Sequence, residues 1–162
     1  MISASEKVNH TVPVGMGQAI LARDPARLTT ILGSCVAVTL YAPRRRLGML
    51  CHVVLPEARS DGDNPAKFAD TAVPHMISTL KSQGVSVGEL TAKIAGGACM
   101  FGNSQFARIG DGNVQAVTTA LNAAGISIAG RDVNGTAGRH VCFDLATGCV
   151  SVSSAGGPAR NI

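Results

Sequence analysis

The chain has 162 residues, of which 46% are hydrophobic and 15% charged, and its formal net charge is +4. This length suits one domain with a hydrophobic core, and a chain with no Trp and one Tyr has few stacking platforms for nucleic acid, so no nucleic-acid partner is expected. No stretch has the pattern of a signal peptide or the length of a membrane span, which predicts a cytoplasmic protein without direct membrane insertion.

The N-terminal part of the chain predicts a flexible tail followed by strands. Residues 1–10 are polar and expected to be flexible, whereas residues 11–21 have the pattern of a first strand. After a polar connection, an apolar stretch over residues 28–32 leads into the sequence Gly33-Ser34-Cys35. We call these three residues the cysteine corner.

Two strands joined by a basic turn follow the cysteine corner. Residues 36–42 alternate branched or aromatic residues with small ones, and residues 47–55 are almost continuously apolar. Between them, Pro43 and three arginines supply a short turn. This arrangement predicts an antiparallel hairpin.

The predicted hairpin brings a thiol and an imidazole close together. If Pro43 and Arg44 form its tip, the numbers of facing residues sum to 87, and Cys35 faces His52. A longer or bulged loop would shift this register by a residue or two.

The cysteine corner could activate its thiol. Gly33 suits a tight turn that leaves the backbone N–H groups around Ser34 and Cys35 exposed. Such groups, like a neighbouring imidazole, lower the pKa of a cysteine from about 8.5, and they can hold the oxyanion of a tetrahedral intermediate. The alternative is that Cys35 is a small buried hydrophobe and His52 a core histidine with satisfied hydrogen bonds.

The rest of the chain predicts two helices among further strands. Asn64-Pro65 is a helix-start signature before an apolar stripe over residues 69–80, and a second helix is predicted to start near Asn113. The remaining strands are predicted at residues 90–95, 126–133, 139–145 and 149–153. Residues 154–162 are expected to be a second flexible tail. Two main helices with about eight strands predict a single α+β domain over residues 1–162, with helices covering a sheet.

The cysteines, arginines and remaining histidines allow simpler interpretations. The five cysteines have no closely spaced pair, which predicts a reduced protein with no disulfide and no metal site; they are Cys35, Cys51, Cys99, Cys142 and Cys149. Cys35 is the chemical candidate and the other four are predicted core residues.

The arginines Arg44, Arg45 and Arg46 are either a solvated turn or a docking patch beside the active site. His10, His75 and His140 are assigned to the surface or to packing.

Six motifs in order carry a resemblance over about residues 12–152: LGSC ending at Cys35, CHVVLP with His52, KFADTAVP from Lys67, AKIAGGACMF from Ala92, IGDGNV from Ile109 and GRHVCFDLATG from Gly138. With these motifs the chain resembles the CheD family of chemoreceptor glutamine deamidases. It departs from the family pattern at Asn134-Gly135 and at Ala98-Cys99, away from the candidate catalytic positions.

The resemblance implies a layered α/β/β fold, with mixed and largely antiparallel sheets. It also implies deamidation of selected glutamines on the cytoplasmic helices of methyl-accepting chemotaxis receptors, without a cofactor. It puts the family nucleophile on Cys35, the histidine on His52 and a threonine on Thr29, with Thr30 as a nearby rival. For some family members it also implies a CheC-type phosphatase as partner.

The chemistry of deamidation suits these groups. Attack by the Cys35 thiolate on a glutamine amide splits the reaction into two steps through a glutamyl thioester, with loss of ammonia. His52 would accept the thiol proton, protonate the leaving amine and then activate water, and Thr29 would orient the imidazole.

Four residues are predicted to contact the substrate or support it: Gly33, Ser34, Gly96 and Gly97. Ser34 is interpreted as a turn residue rather than a second nucleophile. Gly96 and Gly97 favour close packing along the substrate approach over a phosphate loop, since no Lys-Ser/Thr pair follows them.

Two other functions fit the same residues. One is an adaptor that binds receptors or a phosphatase, with minor catalysis. The other is a general thiol hydrolase of small amides, for which we would expect a small closed pocket rather than an open groove.

Overall fold

The structure, a computed structural model, describes residues 10–102 and 107–162, which form ten strands and two α-helices. In chain order the elements are β1 (Thr11–Pro13), β2 (Ala19–Arg23), β3 (Arg27–Leu32), β4 (Val36–Ala42), β5 (Leu47–Val53), α1 (Ala69–Ser82), β6 (Thr91–Gly96), α2 (Ala107–Ala123), β7 (Ile128–Val133), β8 (Arg139–Asp144), β9 (Val150–Ser154) and β10 (Arg160–Asn161).

The strands form two five-stranded sheets. The first has the order β1-β3-β8-β9-β10 and the second the order β2-β5-β4-β6-β7. The pairs β1–β3 and β6–β7 are parallel, and the other pairs are antiparallel. The two helices cover one face of the second sheet, and the first sheet covers its other face. This confirms the predicted α+β fold with α/β/β layers and mixed, largely antiparallel sheets.

Strand β4 lies in the middle of the second sheet and is buried along its whole length. Because successive side chains of a strand point to opposite faces, Val36, Val38 and Leu40 pack with the helices. Tyr41 points to the first sheet, where its ring meets Phe143 edge-on with 5.6 Å between the ring centres. The strand therefore belongs to both cores of the protein.

The predicted hairpin is present as β4 and β5, but its predicted register is wrong by two. Facing residue numbers sum to 89, so that Ala37 rather than Cys35 faces His52. The turn uses four residues, because a 3-10 turn over Pro43–Arg45 is followed by Arg46 in the left-handed conformation with a φ of 47°. A shift by two leaves every side chain on the face predicted for it.

Both predicted helices are present, with different starts. Pro65–Lys67 form a 3-10 turn and α1 begins only at Ala69, whereas α2 begins at Ala107, six residues before the predicted start near Asn113. In the part of the chain that is described, neither helix has the length and apolar character needed to span a membrane.

The chain ends differ from the sequence prediction. Residues 11–21 form parts of two strands, β1 and β2, and not one. Residues 154–162 are not a frayed tail, because β10 pairs with β9 and the Ile162 N–H donates to the Val150 carbonyl at 2.9 Å. The predicted N-terminal tail, except for residue 10, lies outside the described residues.

Two glycines after β6 bring the second sheet, α2 and the cysteine corner into close contact. Gly96 and Gly97 have φ values of 113° and 71°. A Cβ atom on Gly96 would collide with the Cys35 carbonyl, and one on Gly97 would collide with the side chain of Val114 in α2. Only glycine satisfies both the backbone conformation and the space at these positions.

We expect Gly97→Ala to destabilise the protein more than Gly125→Ala. Gly125 has nearly the same φ, 72°, but open space around its Cα, so its replacement adds only the backbone cost of about 1–2 kcal/mol. At Gly97 the collision with Val114 adds about 1–3 kcal/mol. Urea unfolding of the two variants measures the difference, and equal losses would contradict the proposed close contact.

Candidate active site

Cys35 and His52 lie on the same face of the second sheet, the one that packs against the first sheet. Cys35 comes immediately before β4 and is half-buried against the apolar cluster between the sheets. His52 lies in β5, and 4% of its surface is exposed. The last pair of the two strands is Val36 with Val53, and continuing the register by one residue puts Val54 across from Cys35, so the thiol and the imidazole are diagonal neighbours. Such neighbours lie about 7–8 Å apart at the backbone, within reach of longer side chains.

Each carbonyl group of the cysteine corner is held by a donor from a neighbouring element. The three donors are the N–H of Ala98 to Gly33 at 3.0 Å, the side-chain amide of Asn113 to Ser34 at 3.1 Å, and the N–H of Gly97 to Cys35 at 2.9 Å. The helix α2 and the residues that follow β6 therefore hold the cysteine corner in place.

The N–H groups of the cysteine corner are left free as a consequence. In a trans peptide the carbonyl of one residue and the N–H of the next point in opposite directions. Anchoring the carbonyls of Gly33 and Ser34 thus turns the N–H groups of Ser34 and Cys35 away from those anchors. Neither N–H has an acceptor among residues 10–102 and 107–162. Adjacent free N–H groups beside a thiol can bind an oxyanion.

A chain of two hydrogen bonds sets the tautomer of His52. The Thr30 hydroxyl donates to the Val14 carbonyl at 2.7 Å, and Thr30 Oγ1 lies 2.8 Å from His52 Nδ1. A carbonyl only accepts and a hydroxyl has one hydrogen, so the hydrogen between Thr30 and His52 is carried by Nδ1. In the neutral ring Nε2 then has the lone pair. This atom is buried without a partner in the described part of the chain, and could accept a proton.

The predicted contact from Thr29 to the imidazole is wrong in this structure, and the rival Thr30 makes it. Side chains alternate along β3, where Thr30 is buried and Thr29 is half-buried on the opposite face. Thr29 contributes through its backbone, since its carbonyl accepts from the Val14 N–H at 2.7 Å. Thr29 thus holds Val14, which in turn holds Thr30.

Burial favours the neutral form of both groups. It raises the pKa of the Cys35 thiol. It also lowers the pKa of His52, against a smaller raising effect from the hydrogen bond to the Val14 carbonyl. The lowered thiol pKa expected from the sequence is therefore wrong for the resting protein, in which a thiol accompanies a neutral imidazole.

Two neighbouring clefts open beside His52 and Gly33, and Cys35 lines neither of them. One, of about 440 Å³, is lined by His52, Thr30 and Thr29 together with Met16, Ile31 and His140. The other, of about 560 Å³, is lined by Gly33 and Met100 and shares Ile31 and His140 with the first.

The rims of the clefts are apolar and exposed. Among the described residues, the large hydrophobic side chains that are exposed are Met16, Ile31, Met100 and Phe101. The first three line the clefts, and Phe101 follows Met100 in the chain. An exposed apolar cluster of this kind typically marks a contact surface.

The glycines predicted to contact the substrate have different positions. Gly33 lines a cleft, and a Cβ atom there would lie 2.8 Å from the sulfur of Met100. Gly96 and Gly97 are buried under the cysteine corner. They have the predicted close packing, but not a surface that a substrate could reach, so that part of the prediction is wrong. No set of three or more potential metal ligands comes together in the described ranges.

The basic turn does not lie beside the candidate active site. It joins the other ends of β4 and β5, roughly 20 Å along the strands from Cys35. Arg45 pairs with Glu89 at 3.0 Å and Arg46 with Asp24 at 3.2 Å. The interpretation as a docking patch next to the site is therefore wrong, because a hairpin tip and strand ends are separated by the strand length.

The other cysteines are only partly core residues. Cys51 is buried, its thiol donates to the Ala66 carbonyl at 3.2 Å, and burial raises its pKa to about 12. Cys99, Cys142 and Cys149 are half-buried, which contradicts their prediction as core residues.

Sequence reasoning assigned no role to Asn113. It lies in the IGDGNV motif, but the two glycines before it are typical of a loop, and its partners are backbone carbonyls that leave no trace in a sequence. A polar residue on the buried side of the predicted helix was the available signal.

We expect the free energy of unfolding to decrease as the pH falls below about 6.5, the ordinary pKa of an unfolded imidazole. Burial lowers the pKa of folded His52, so between the two pKa values the unfolded chain binds the extra proton and gains stability. Urea unfolding from neutral pH to about pH 5 measures this, above the range where carboxylates titrate. His52→Gln should flatten the slope, and an unchanged slope would contradict the buried neutral imidazole.

Comparisons with known proteins agree with the resemblance noted in the sequence. A family model described as CheD chemotactic sensory transduction matches residues 54–154, more than half of the chain. The match starts just after β5, so the cysteine corner and His52 lie outside it.

Individual relatives match along nearly the whole chain. A protein of Desulforamulus reducens named probable chemoreceptor glutamine deamidase CheD is 40% identical over 162 residues, with 96% of this chain and 98% of that protein covered. The chemoreceptor glutamine deamidase CheD of Thermotoga maritima is 40% identical over 145 residues, with 89% and 92% covered. Among solved structures, the Bacillus licheniformis hypothetical protein YfiH is 15% identical with a TM-score of 0.43, over 68% of this chain and 49% of that one. Given the family match and these two relatives, the chain belongs to the CheD family.

Proposed function

We propose that this protein deamidates glutamine side chains of chemoreceptors, with Cys35 as nucleophile and His52 as general base and acid. The reaction class and substrate rest on the names of the relatives. One observation supports this chemistry most: the free N–H groups of Ser34 and Cys35 lie in the segment that carries the thiol, and His52, whose lone pair is free, is the diagonal neighbour of Cys35. Nucleophile, base and oxyanion donors are what amide hydrolysis by a thiol needs.

The first half-reaction forms a thioester. His52 Nε2 takes the proton of the Cys35 thiol while the sulfur bonds to the amide carbon of the glutamine. The carbonyl oxygen becomes an oxyanion, for which the N–H groups of Ser34 and Cys35 are the donors. The imidazolium then gives its proton to the amide nitrogen, the C–N bond breaks and ammonia leaves.

The second half-reaction hydrolyses the thioester. Neutral His52 takes a proton from water, whose oxygen attacks the thioester carbon, and the same N–H groups hold the oxyanion. The C–S bond breaks, the sulfur regains a proton from the imidazolium, and a glutamate side chain is released. Because His52 acts as base in both halves, it has to be neutral, which its lowered pKa favours.

The cleft beside His52 favours a side chain on a protein over a small free amide. Exposed Met16 and Ile31 line the cleft beside His52, so it opens to solvent instead of enclosing a small molecule. The apolar rim offers contact area for the helix that carries the glutamine. A CheC-type phosphatase partner and a cytoplasmic location stay predictions from the resemblance and the composition.

Cys35→Ala should abolish deamidation and leave the fold intact, because no other group can form the thioester. The assay is mass spectrometry of a receptor cytoplasmic fragment, which detects the mass gain from replacing an amide NH2 by OH. Cys149→Ala, which removes another half-buried thiol, is the matched control and should retain activity. If wild type binds the fragment without converting any glutamine, the protein is an adaptor and the proposal fails.

Thr30→Val should lower kcat by roughly 10- to 100-fold with little change in KM, because the imidazole loses the partner that holds its ring and tautomer. Thr29→Val is the matched control: the same change on the opposite face of β3 should cost much less. The larger loss in Thr29→Val would restore the assignment that the family resemblance implies.

A further inference from the structure

Asn113 in α2 is fully buried, and its side chain joins the two segments that carry the proposed reacting groups. Its Nδ2 donates to the Ser34 carbonyl at 3.1 Å and to the Val54 carbonyl at 2.9 Å. Both partners only accept, so chemistry fixes the orientation of the amide, and both of its hydrogens are used. Ser34 precedes the proposed nucleophile, and Val54 follows His52 by two residues.

The bridge lies where the sheet no longer holds these segments together. The pairing of β4 with β5 ends at Val36 and Val53. The Val54 N–H turns away to the Lys67 carbonyl at 2.8 Å. Beyond the last pair, Asn113 is therefore the direct link between the cysteine corner and the end of β5 among the described residues.

Two glycines allow α2 to come close enough for this bridge. Glycine in a helix is unfavourable relative to alanine, so its presence calls for a reason. A Cβ atom at Gly110 would lie 2.6 Å from the Gly97 carbonyl oxygen, and one at Gly112 would lie 3.2 Å from Pro56 Cγ. Larger residues would push α2 away from the cysteine corner and withdraw Asn113.

The side-chain amide of Asn113 has a hydrogen-bond partner for its NH2 group but none for its oxygen. Oδ1 of Asn113 is buried and has no partner in the part of the chain that is described. A buried polar atom without a hydrogen bond is unfavourable, and an apolar side chain would avoid it. The NH2 group that holds both carbonyls is what an apolar side chain lacks.

We propose that Asn113 is a positioning residue that sets the distance between the Cys35 thiol and the His52 imidazole through the backbone of Ser34 and Val54. The inference rests on the proposed function, which makes those two groups the reacting pair. Without the bridge the cysteine corner can move relative to β5. A misplacement of about 1 Å between reacting groups costs about 100-fold in rate.

The test compares Asn113→Leu and Asn113→Ser with Thr39→Val. Thr39 in β4 is a matched control, because its buried hydroxyl donates to the Lys93 carbonyl at 3.3 Å, away from the site. All three variants should be less stable to urea. Only the Asn113 variants should lose kcat on a receptor fragment, by roughly 10- to 100-fold, with KM within about two-fold of wild type.

A second readout does not depend on the receptor. Iodoacetamide attacks the thiolate, so wild type should react slowly near neutral pH; the rate of Cys35 alkylation, followed against pH, should change in the Asn113 variants, in which the cysteine corner can move, and stay as in wild type in Thr39→Val. If wild type converts no glutamine, the proposed function fails and alkylation still tests Asn113. The positioning role is overturned if the folded Asn113 variants keep wild-type kcat and alkylation, or if neither variant folds, which would make Asn113 a requirement for folding alone.

Discussion

The anchoring of three consecutive carbonyl groups in the cysteine corner is the constraint on which the rest of the site depends. It takes two backbone donors after β6 and one side chain of α2, so the corner exists only where the sheet and the helix meet. This close contact requires Gly96 and Gly97, because a Cβ atom at either position would collide with the cysteine corner or with α2. Because peptide units are planar and trans, the same anchoring turns the N–H groups of Ser34 and Cys35 away from the donors that hold the carbonyls. The hydrogen bonds that hold the cysteine corner against the sheet and the helix are therefore the same ones that leave its N–H groups free.

Side-chain alternation is enough to predict the layers, since strand period does not depend on the turn, but the face that Cys35 and His52 share also depends on the register of their two strands. The register is not predictable in the same way. It depends on Arg46 adopting a left-handed conformation that residues other than glycine seldom adopt. The resulting error of two preserved the face, whereas an error of one would have moved His52 to the helix side. The predicted face was therefore correct although the predicted turn was two residues too short.

The choice between Thr29 and Thr30 and the role of Asn113 lay beyond sequence reasoning for different reasons. The resemblance assigns the threonine by its position in the sequence. Adjacent residues of a strand point in opposite directions, so position along the chain does not decide which hydroxyl contacts the imidazole. Asn113 acts on carbonyl groups that every residue has. Gly110 and Gly112 lie before the predicted start of α2, and the need for glycine there arises from contacts with Gly97 and Pro56 that only the folded chain contains.

The neutral state of the pair has a consequence for the resting protein. Oxidation and alkylation attack the thiolate, and burial raises the pKa of Cys35, which favours the less reactive thiol form. The same burial lowers the pKa of His52 and keeps a base available beside it. In the proposed mechanism, a proton transfer that burial disfavours becomes favourable when a carbonyl oxygen reaches the free N–H groups, because the developing negative charge then rests on donors that are already in place. The corner therefore couples activation of the proposed nucleophile to the arrival of an amide.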